Sequence, residues 1–187
     1  MIQIPVLQTE RLIIRPFTMA DLDDLHRVLD GSREGDPFNQ PMDLEARRAW
    51  LQWMAALTGP FGGWYPPYGD RAVVLRDSDT LIGAVGYVAE LEPFGSLPHL
   101  GGDAHALCTP EISLYWDIGK AYRRQGYASE AAQGLVDYAF KELRVKRLFA
   151  LTHPDNLGSL GVMRKLGMTI ERAQGACGIL ENKLAGA

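Results

Sequence analysis

The sequence predicts an α+β (mixed α/β) domain built on a central mixed β-sheet with flanking helices. A pair of strand-like runs is followed in the second half by strand, helix, strand, helix and strand, and this order indicates an α+β or α/β domain with a mixed sheet. The chain has 187 residues, of which 47% are hydrophobic and 22% charged, as is typical of one globular domain. We therefore expect a single domain over residues 1–187, without internal repeats.

The first half is predicted to contain a short strand followed by two helices. Leu12–Arg15 is strand-like, and Pro16 ends it. Thr18 and Asp21 resemble a capping box, with Asp in place of the usual Glu. The helix that follows carries apolar residues at helical spacing (Leu22, Leu25, Val28, Leu29). Asp43 is the predicted cap of the second helix, whose apolar face comprises Leu44, Trp50, Leu51, Met54 and Leu57.

Two segments rich in Gly and Pro, residues 59–69 and 92–102, are predicted loops. Between them, residues 72–75 and 81–89 are predicted to pair as strands across a turn at 77–79. The remaining predicted elements are a strand at 111–118, a helix at 129–143, a strand at 148–152, a helix at 156–166 closed by Gly167, and a strand at 168–172.

The C-terminal segment is short and interrupted by glycines at positions 175, 178 and 186. Glycine weakens a strand interior. Two outcomes stay open: residues 177–184 form a short last strand, or another subunit completes the sheet.

The most informative segment is 117–130, DIGKAYRRQGYASE, between a predicted strand and a predicted helix. Its small residues, Gly126 and Ala128, lie where the backbone must turn just before the helix begins. Such a turn leaves N–H groups without intrahelical partners, at the end of the helix where the macrodipole favours negative charge. The segment therefore predicts a site for a phosphate or pyrophosphate group.

Four segments together resemble one known family. Arg123-x-x-Gly126-x-Ala128 resembles the acyl-CoA pyrophosphate loop (Gln/Arg-x-x-Gly-x-Gly/Ala) of the GCN5-related N-acetyltransferases, the GNAT superfamily. TERLIIRP at 9–16, EISLYW at 111–116 and the segment from Asn156 to Met168 resemble parts of its ribosomal-protein-alanine acetyltransferase (RimJ/RimL-like) branch. The resemblance spans roughly residues 7–172 and implies the acyl-CoA N-acyltransferase fold.

The resemblance also implies acetyl-CoA as co-substrate, an amine as acceptor and no metal. Arg123 and Arg124 would meet the phosphates, while backbone N–H groups of the turn cradle them. The residues expected to supply those groups are Gln125, Gly126, Tyr127, Ala128 and Ser129. The strand end, comprising Asp117, Ile118 and Gly119, is expected to pair with the pantetheine amides.

Direct transfer from a thioester to an amine needs a proton acceptor, donors for the oxyanion and a proton for the departing thiolate. Glu111 is the expected general base, because partial burial beside an apolar strand favours proton uptake by a carboxylate. The alternative is a carboxylate that faces solvent or pairs with an arginine.

Ser159 is the expected hydrogen-bond donor to the CoA sulfur, or else a solvent-facing serine. Asn156 either binds the pantetheine arm or caps its helix. Met163 stands where many GNAT enzymes have a tyrosine acid.

The acceptor is poorly specified. Aromatic residues concentrate in the second helix and the loop after it (Trp50, Trp53, Trp64, Tyr65 and Tyr68), where they either form an acceptor pocket or, more often, belong to the core. Glu34, Asp36 and Asp70 would attract a cationic acceptor, although short acidic patches are usually solvated. A protein N-terminus and a small amine are comparable expectations, because a family does not fix the acceptor.

Bulk properties narrow the function classes. A net charge of −4 and a pI near 5.6 argue against nucleic acid as a partner. Two cysteines are too few for a disulfide framework, the histidines lack metal-ligand spacing, and no apolar stretch reaches membrane length. We expect a cytoplasmic enzyme without signal peptide, and a homodimer by analogy. The rival functions are a non-catalytic acyl-CoA-binding domain and a nucleotide-phosphate enzyme, although the Gly-Lys-Ser/Thr of a P-loop is missing.

Overall fold

The computed structural model describes residues 4–31, 33, 36–59, 68–172 and 176–181. Its strands, numbered along the chain, are β1 (Leu7–Gln8), β2 (Leu12–Arg15), β3 (Gly69–Leu75), β4 (Leu81–Glu92), β5 (Thr109–Ile118), β6 (Arg147–Thr152), β7 (Thr169–Arg172) and β8 (Ala176–Glu181). Its helices are α1 (Leu22–Leu25, continued by a π turn to Asp30), α2 (Leu44–Thr58), α3 (Tyr127–Lys141) and α4 (Leu157–Lys165).

The eight strands form one mixed sheet in the order β1-β2-β3-β4-β5-β6-β8-β7. The pairs β1–β2, β2–β3 and β3–β4 are antiparallel, β5–β6 is parallel, and β8 is antiparallel to both β6 and β7. The predicted mixed sheet with flanking helices is confirmed. The prediction omitted β1, began β3 and β5 too late, and ended β4 too early.

The chain groups into two compact units, of which unit one takes residues 1–87 and 115–134 and unit two takes residues 88–114 and 135–187. Both β4 and β5 therefore contribute residues to each unit. The expectation of one domain over residues 1–187 stays a prediction.

Unit one is built on a core between its strands and the helices α1 and α2. Leu22, Leu25, Val28 and Leu29 are buried, as the helical spacing predicted. Asp43 caps α2 by accepting a hydrogen bond from the Ala46 N–H at 2.8 Å. Leu51 and Met54 enter the core, whereas Leu44, predicted on the same face, is exposed. Trp50 packs edge-on against Phe17, with ring centroids 5.6 Å apart.

Unit two has its own smaller core, in which the rings of Phe94 and Phe149 stack with centroids 4.0 Å apart. The open question about the tail is answered by the chain itself, because β8 lies between β6 and β7. Gly178, which weakened the strand prediction, is what lets β8 fit. A Cβ there would lie 2.9 Å from the Met168 sulfur and 3.1 Å from the Met163 sulfur.

Candidate active site

The turn predicted to bind phosphate contains two residues with positive φ. After β5 ends at Ile118, a single 3₁₀ turn (Lys120–Tyr122) leads to Arg124 and Gly126, which have φ of 62° and 88°. Positive φ at these positions turns the chain sharply just before the helix, as the sequence predicted. Helix α3 begins at Tyr127, two residues earlier than predicted, so the loop opens directly into a helix N-terminus.

The amides of this loop have no partners within the described structure. None of the backbone N–H groups of residues 124–129 donates a hydrogen bond to a described residue. The first bond of the helix is from the Glu130 N–H to the Gly126 carbonyl, at 3.0 Å. The N–H groups of Tyr127, Ala128 and Ser129 are free as in the first turn of any helix, and those of residues 124–126 extend the row toward the loop. These six donors need water or a ligand, because unsatisfied donors cost free energy.

Arg11, for which no role was predicted, holds the loop in place. Its Nη1 donates to the Gln125 carbonyl at 3.1 Å, and its Nε donates to Glu130 Oε2 at 2.7 Å. The guanidinium also lies over the Tyr127 ring, 4.5 Å from its centroid. Arg11 thus contacts the loop before the helix and the first turn of the helix itself. No spacing in the sequence signals a contact between residues more than a hundred positions apart.

Glu130 is the anchor of that contact. Its carboxylate accepts from the Thr9 hydroxyl at 2.6 Å and from the Arg11 N–H at 2.8 Å, besides the guanidinium. Burial opposes ionisation, but these hydrogen bonds outweigh it and hold the pKa of Glu130 below its usual value. A carboxylate in the first turn also suits the helix dipole. The loop is therefore fixed by charged groups before any ligand arrives.

The two loop arginines differ in their surroundings. The Nε of Arg123 donates to the Ile118 carbonyl at 2.8 Å, and its terminal nitrogens lie 3.5 Å from Asp36 and 3.6 Å from Asp117. Arg124 is exposed and has no ion pair with a described residue. Arg123 thus connects the loop to the strand end, whereas the Arg124 side chain is exposed to solvent. Contact of either arginine with a phosphate stays a prediction.

Some of the backbone groups at the end of β5 that were expected to pair with pantetheine are already hydrogen-bonded within the chain. The Gly119 N–H donates to the Ile82 carbonyl at 2.9 Å, and the Gly119 carbonyl accepts from Tyr122 at 2.8 Å. Asp117 is 7% exposed, and its side chain pairs with Arg33. Pairing of residues 117–119 with pantetheine amides stays a prediction, and it must use the groups that these bonds leave free.

Arg33 and Asp117 belong to a buried polar cluster in unit one that sequence reasoning missed. Arg47 donates from Nε and Nη2 to the two oxygens of Asp30, at 2.6 and 2.7 Å, and both residues are almost fully buried. Arg33 lies between Asp30, 3.5 Å away, and Asp117. Burial opposes ionisation of Asp30, but Arg47 and the Met42 N–H outweigh it and lower its pKa.

Asp70 and Tyr115 are the remaining polar members of this cluster. Burial, with a smaller contribution from Asp117, raises the pKa of Asp70 to about 7. The Tyr115 hydroxyl is shifted in the same direction, because burial and the nearby carboxylates raise its pKa. The sequence proposed Asp70 only as part of an acidic patch. In the structure Asp70 is a buried residue of unit one with a raised pKa, and not part of a solvated acidic patch.

In unit two, Glu111 is 10% exposed in its side chain and pairs with Arg147. The Thr109 hydroxyl also lies within hydrogen-bond distance of Glu111 Oε1, at 3.2 Å. Of the alternatives left open by the sequence, the arginine pair is therefore the one observed. An ion pair does not exclude a catalytic role, which stays a prediction.

Helix α4 carries the other two predicted site residues. Asn156 is its N-cap, with Oδ1 accepting from the Ser159 N–H at 3.1 Å, so the capping alternative is confirmed. The Ser159 hydroxyl makes no hydrogen bond to a described residue, which agrees with both alternatives, so its role as a donor to sulfur stays a prediction. Met163, at the position of the usual tyrosine acid, is fully buried and has become a core residue.

The aromatic residues do not form one set. Trp50 is a core residue with Arg47 over its ring at 4.9 Å, whereas Trp53 is 60% exposed. Trp64, Tyr65 and Glu34 lie outside the described residues.

Two classes of site are absent from the described part of the chain. Its His, Cys, Asp and Glu side chains form no group of three or more that could hold a metal ion. Among the helices that the structure describes, none has the length and apolar character to span a bilayer.

Comparison with known proteins gives a consistent result. The family model described as "Acetyltransferase (GNAT) domain" matches residues 11–169. The uncharacterized N-acetyltransferase YnaD of Bacillus subtilis is 39% identical over 107 residues, which are 55% of this chain and 54% of YnaD. The chain thus spans about half the length of that relative.

Two solved structures share the fold. A GNAT-family acetyltransferase from Bacillus anthracis has a TM-score of 0.71 and 22% identity, covering 96% of this chain and 99% of its own. RimL, a ribosomal L7/L12 alpha-N-protein acetyltransferase in complex with coenzyme A, has a TM-score of 0.69 and 13% identity, covering 95% and 98%. The family model covers most of the sequence, from Arg11 to the first residue of β7. This chain therefore belongs to the GNAT acetyltransferase family.

Proposed function

We propose that this protein is an N-acetyltransferase that moves the acetyl group of acetyl-CoA to a primary amine by direct attack. The observation that carries the proposal is the row of N–H groups at residues 124–129 that have no acceptor among the described residues, next to which Arg11 holds the loop. A diphosphate would satisfy these donors and meet Arg124. Membership of the GNAT family supports coenzyme A as the source of that diphosphate.

In the proposed reaction the amine nitrogen, once deprotonated, attacks the thioester carbonyl. The new C–N bond forms and the carbonyl becomes a tetrahedral oxyanion, which collapses as the C–S bond breaks. The nitrogen then loses its second proton, and this proton balances the one that the departing thiolate takes up. Glu111 is the proposed acceptor of the amine proton and Ser159 the proposed donor toward sulfur. Neither step needs a metal or a covalent enzyme intermediate. We place the protein in the cytoplasm, where acetyl-CoA and reduced thiols occur together.

Release of CoA thiol from acetyl-CoA, measured over a panel of primary amines, tests the activity. Amine-dependent release well above the protein-free rate is expected. Calorimetry with acetyl-CoA and with ATP tests the ligand, and tighter binding of ATP would contradict the proposal.

A non-catalytic acyl-CoA-binding domain is the second candidate. It is favoured by buried Met163 in place of a tyrosine acid and by the pairing of Glu111 with Arg147. Acetyl-CoA binding without thiol release over the whole amine panel would favour this candidate.

Replacing Arg11 by alanine is expected to weaken acetyl-CoA binding about tenfold. The reason is that the change removes charge-assisted bonds, each of which is worth about 1.5–3 kcal/mol, and these bonds fix the loop. The KM for acetyl-CoA should rise, while the rate at saturating acetyl-CoA stays close to that of the wild type.

The matched control is Arg15→Ala, which removes another arginine of the N-terminal segment and its ion pair with Asp21 at 2.7 Å. This variant should lose stability without losing affinity. Equal acetyl-CoA affinities for the two variants would show that Arg11 serves the fold and not the loop.

A further inference from the structure

The buried polar cluster of unit one contains more carboxylates than cations. It comprises Asp30, Asp70 and Asp117 with Arg33 and Arg47, and every one of these residues is at most 9% exposed. Arg47 is bonded to Asp30, and Arg33 lies between Asp30 and Asp117. The guanidiniums of Arg33 and Arg47 thus form ion pairs with Asp30 and Asp117. Asp70 is the carboxylate of this cluster that forms no such pair with a described residue.

Among the residues that the structure describes, none bonds to the Asp70 carboxylate. None of the hydrogen bonds or ion pairs of the described residues involves its side-chain oxygens, although its N–H contacts the Met54 sulfur at 3.3 Å. A carboxylate in a buried residue is costly unless water, a cation or hydrogen-bond donors reach it. The structure therefore keeps a buried acceptor for which the described chain supplies no donor.

The Asp70 side chain lies against the neighbouring strand. Asp70 is on β3 directly opposite Gly86 on β4. A Cβ at position 86 would lie 2.4 Å from Asp70 Oδ1, but also 2.6 Å from the Asp70 Cα and 2.6 Å from the Gly69 carbonyl oxygen, so the backbone alone already requires glycine there. The Asp70 carboxylate is therefore packed against the backbone of Gly86.

We propose that Asp70 binds the ammonium group of the acceptor, and that the acceptor is a cationic primary amine without a carboxylate beside its nitrogen. The inference rests on the proposed function. An ammonium group supplies the missing positive charge and N–H donors together. An amine with an adjacent carboxylate is disfavoured, because that anion would approach Asp70 and Asp117 while Arg33 and Arg47 are already paired.

The charged state of Asp70 sets a pH window for this binding. The groups around it are Asp117 and Tyr115 on β5, Arg47 on α2, and Arg33 and Asp30 beyond them. Because the pKa of Asp70 is raised to about 7, the carboxylate is present above that pH and is lost as the pH falls through it. A simple alkylamine stays protonated to about pH 10, so its binding should strengthen as the pH rises past neutrality.

The test is calorimetric titration of n-butylamine into the acetyl-CoA complex of the wild type and of Asp70→Asn. The amide has the shape of the carboxylate but not its charge, so affinity should fall about tenfold or more and its pH dependence should disappear. Acetyl-CoA affinity should not change. Asp43→Asn, at the exposed cap of α2, removes the same charge from the same unit and should leave n-butylamine affinity intact.

Stability provides an independent reading. A carboxylate with a raised pKa destabilises the folded protein above its ordinary titration range, so Asp70→Asn should melt at an equal or higher temperature than the wild type at pH 8. A lower melting temperature would identify Asp70 as a structural residue and overturn the inference.

Acetylation of alaninamide compared with alanine tests the acceptor class, and alaninamide should be strongly preferred. The inference fails if alanine is acetylated as well as alaninamide, or if Asp70→Asn and the wild type bind n-butylamine equally, including no binding by either. Amine-dependent CoA release in that case would leave the proposed function standing. Absence of release with every amine would instead contradict the proposed function itself.

Discussion

Replacing Gly126 by alanine is expected to reduce the affinity for acetyl-CoA about tenfold. Gly126 has φ of 88°, a conformation that costs a residue with a Cβ about 1–2 kcal/mol. Alanine would favour a negative φ, and that rotation turns the neighbouring N–H groups out of their shared direction. Calorimetry with acetyl-CoA measures the loss, which should be similar for free coenzyme A because the diphosphate is common to both.

Gly102→Ala is the matched control, because Gly102 also has a positive φ of 70°. A Cβ there would have no neighbour closer than the Pro98 Cα at 3.8 Å, so the variant reports backbone strain alone. Both variants should lose some stability, but only Gly126→Ala should lose affinity. If both retain full affinity, the loop does not bind the diphosphate and the proposed function loses its main support.

The location of this loop could be predicted from the sequence, because a glycine turn between a strand and a helix is a local pattern. The helix start, its Gly126 and the alternation of strands and helices all depend on neighbouring residues. The same is true of the Asp43 cap and of Gly167, which has the positive φ of a C′ residue, 76°.

What could not be predicted depends on contacts between distant residues. Arg11 and Glu130 meet across 119 positions, and Arg33 and Asp117 across 84. Ion pairs of this kind leave no periodicity in the sequence. Gly178 made a strand at residues 177–184 less certain from the sequence. In the folded unit the side chains of Met163 and Met168 lie where a larger residue would place its Cβ, and the sequence does not show that contact.

Replacing Glu111 by glutamine is expected to lower kcat about a hundredfold, within the range that a general base usually contributes. Glutamine keeps the size of the side chain and an oxygen that can accept from Arg147 and Thr109, so the fold should be retained. Acetyl-CoA affinity should stay constant, because the change leaves the loop at residues 124–129 untouched. Steady-state kinetics with saturating acetyl-CoA separates these two effects.

The pH dependence distinguishes a missing base from damaged packing. A primary alkylamine has a pKa near 10.4 and a peptide α-amine near 8, so the fraction of free amine rises steeply toward those values. Free amine needs no base before it attacks. The rate of Glu111→Gln should therefore approach that of the wild type as the pH rises, whereas a packing defect would persist at every pH.

Arg147→Gln provides the comparison that decides between a base and a structural ion pair. This variant removes the same pair from the other side, but it leaves the carboxylate of Glu111 in place, with the Thr109 hydroxyl still 3.2 Å away. If Glu111 accepts the amine proton, Arg147→Gln should lose stability yet keep most of its turnover. If Glu111 only neutralises Arg147, the two variants should lose stability and turnover to the same extent, since each leaves one buried charge without its partner.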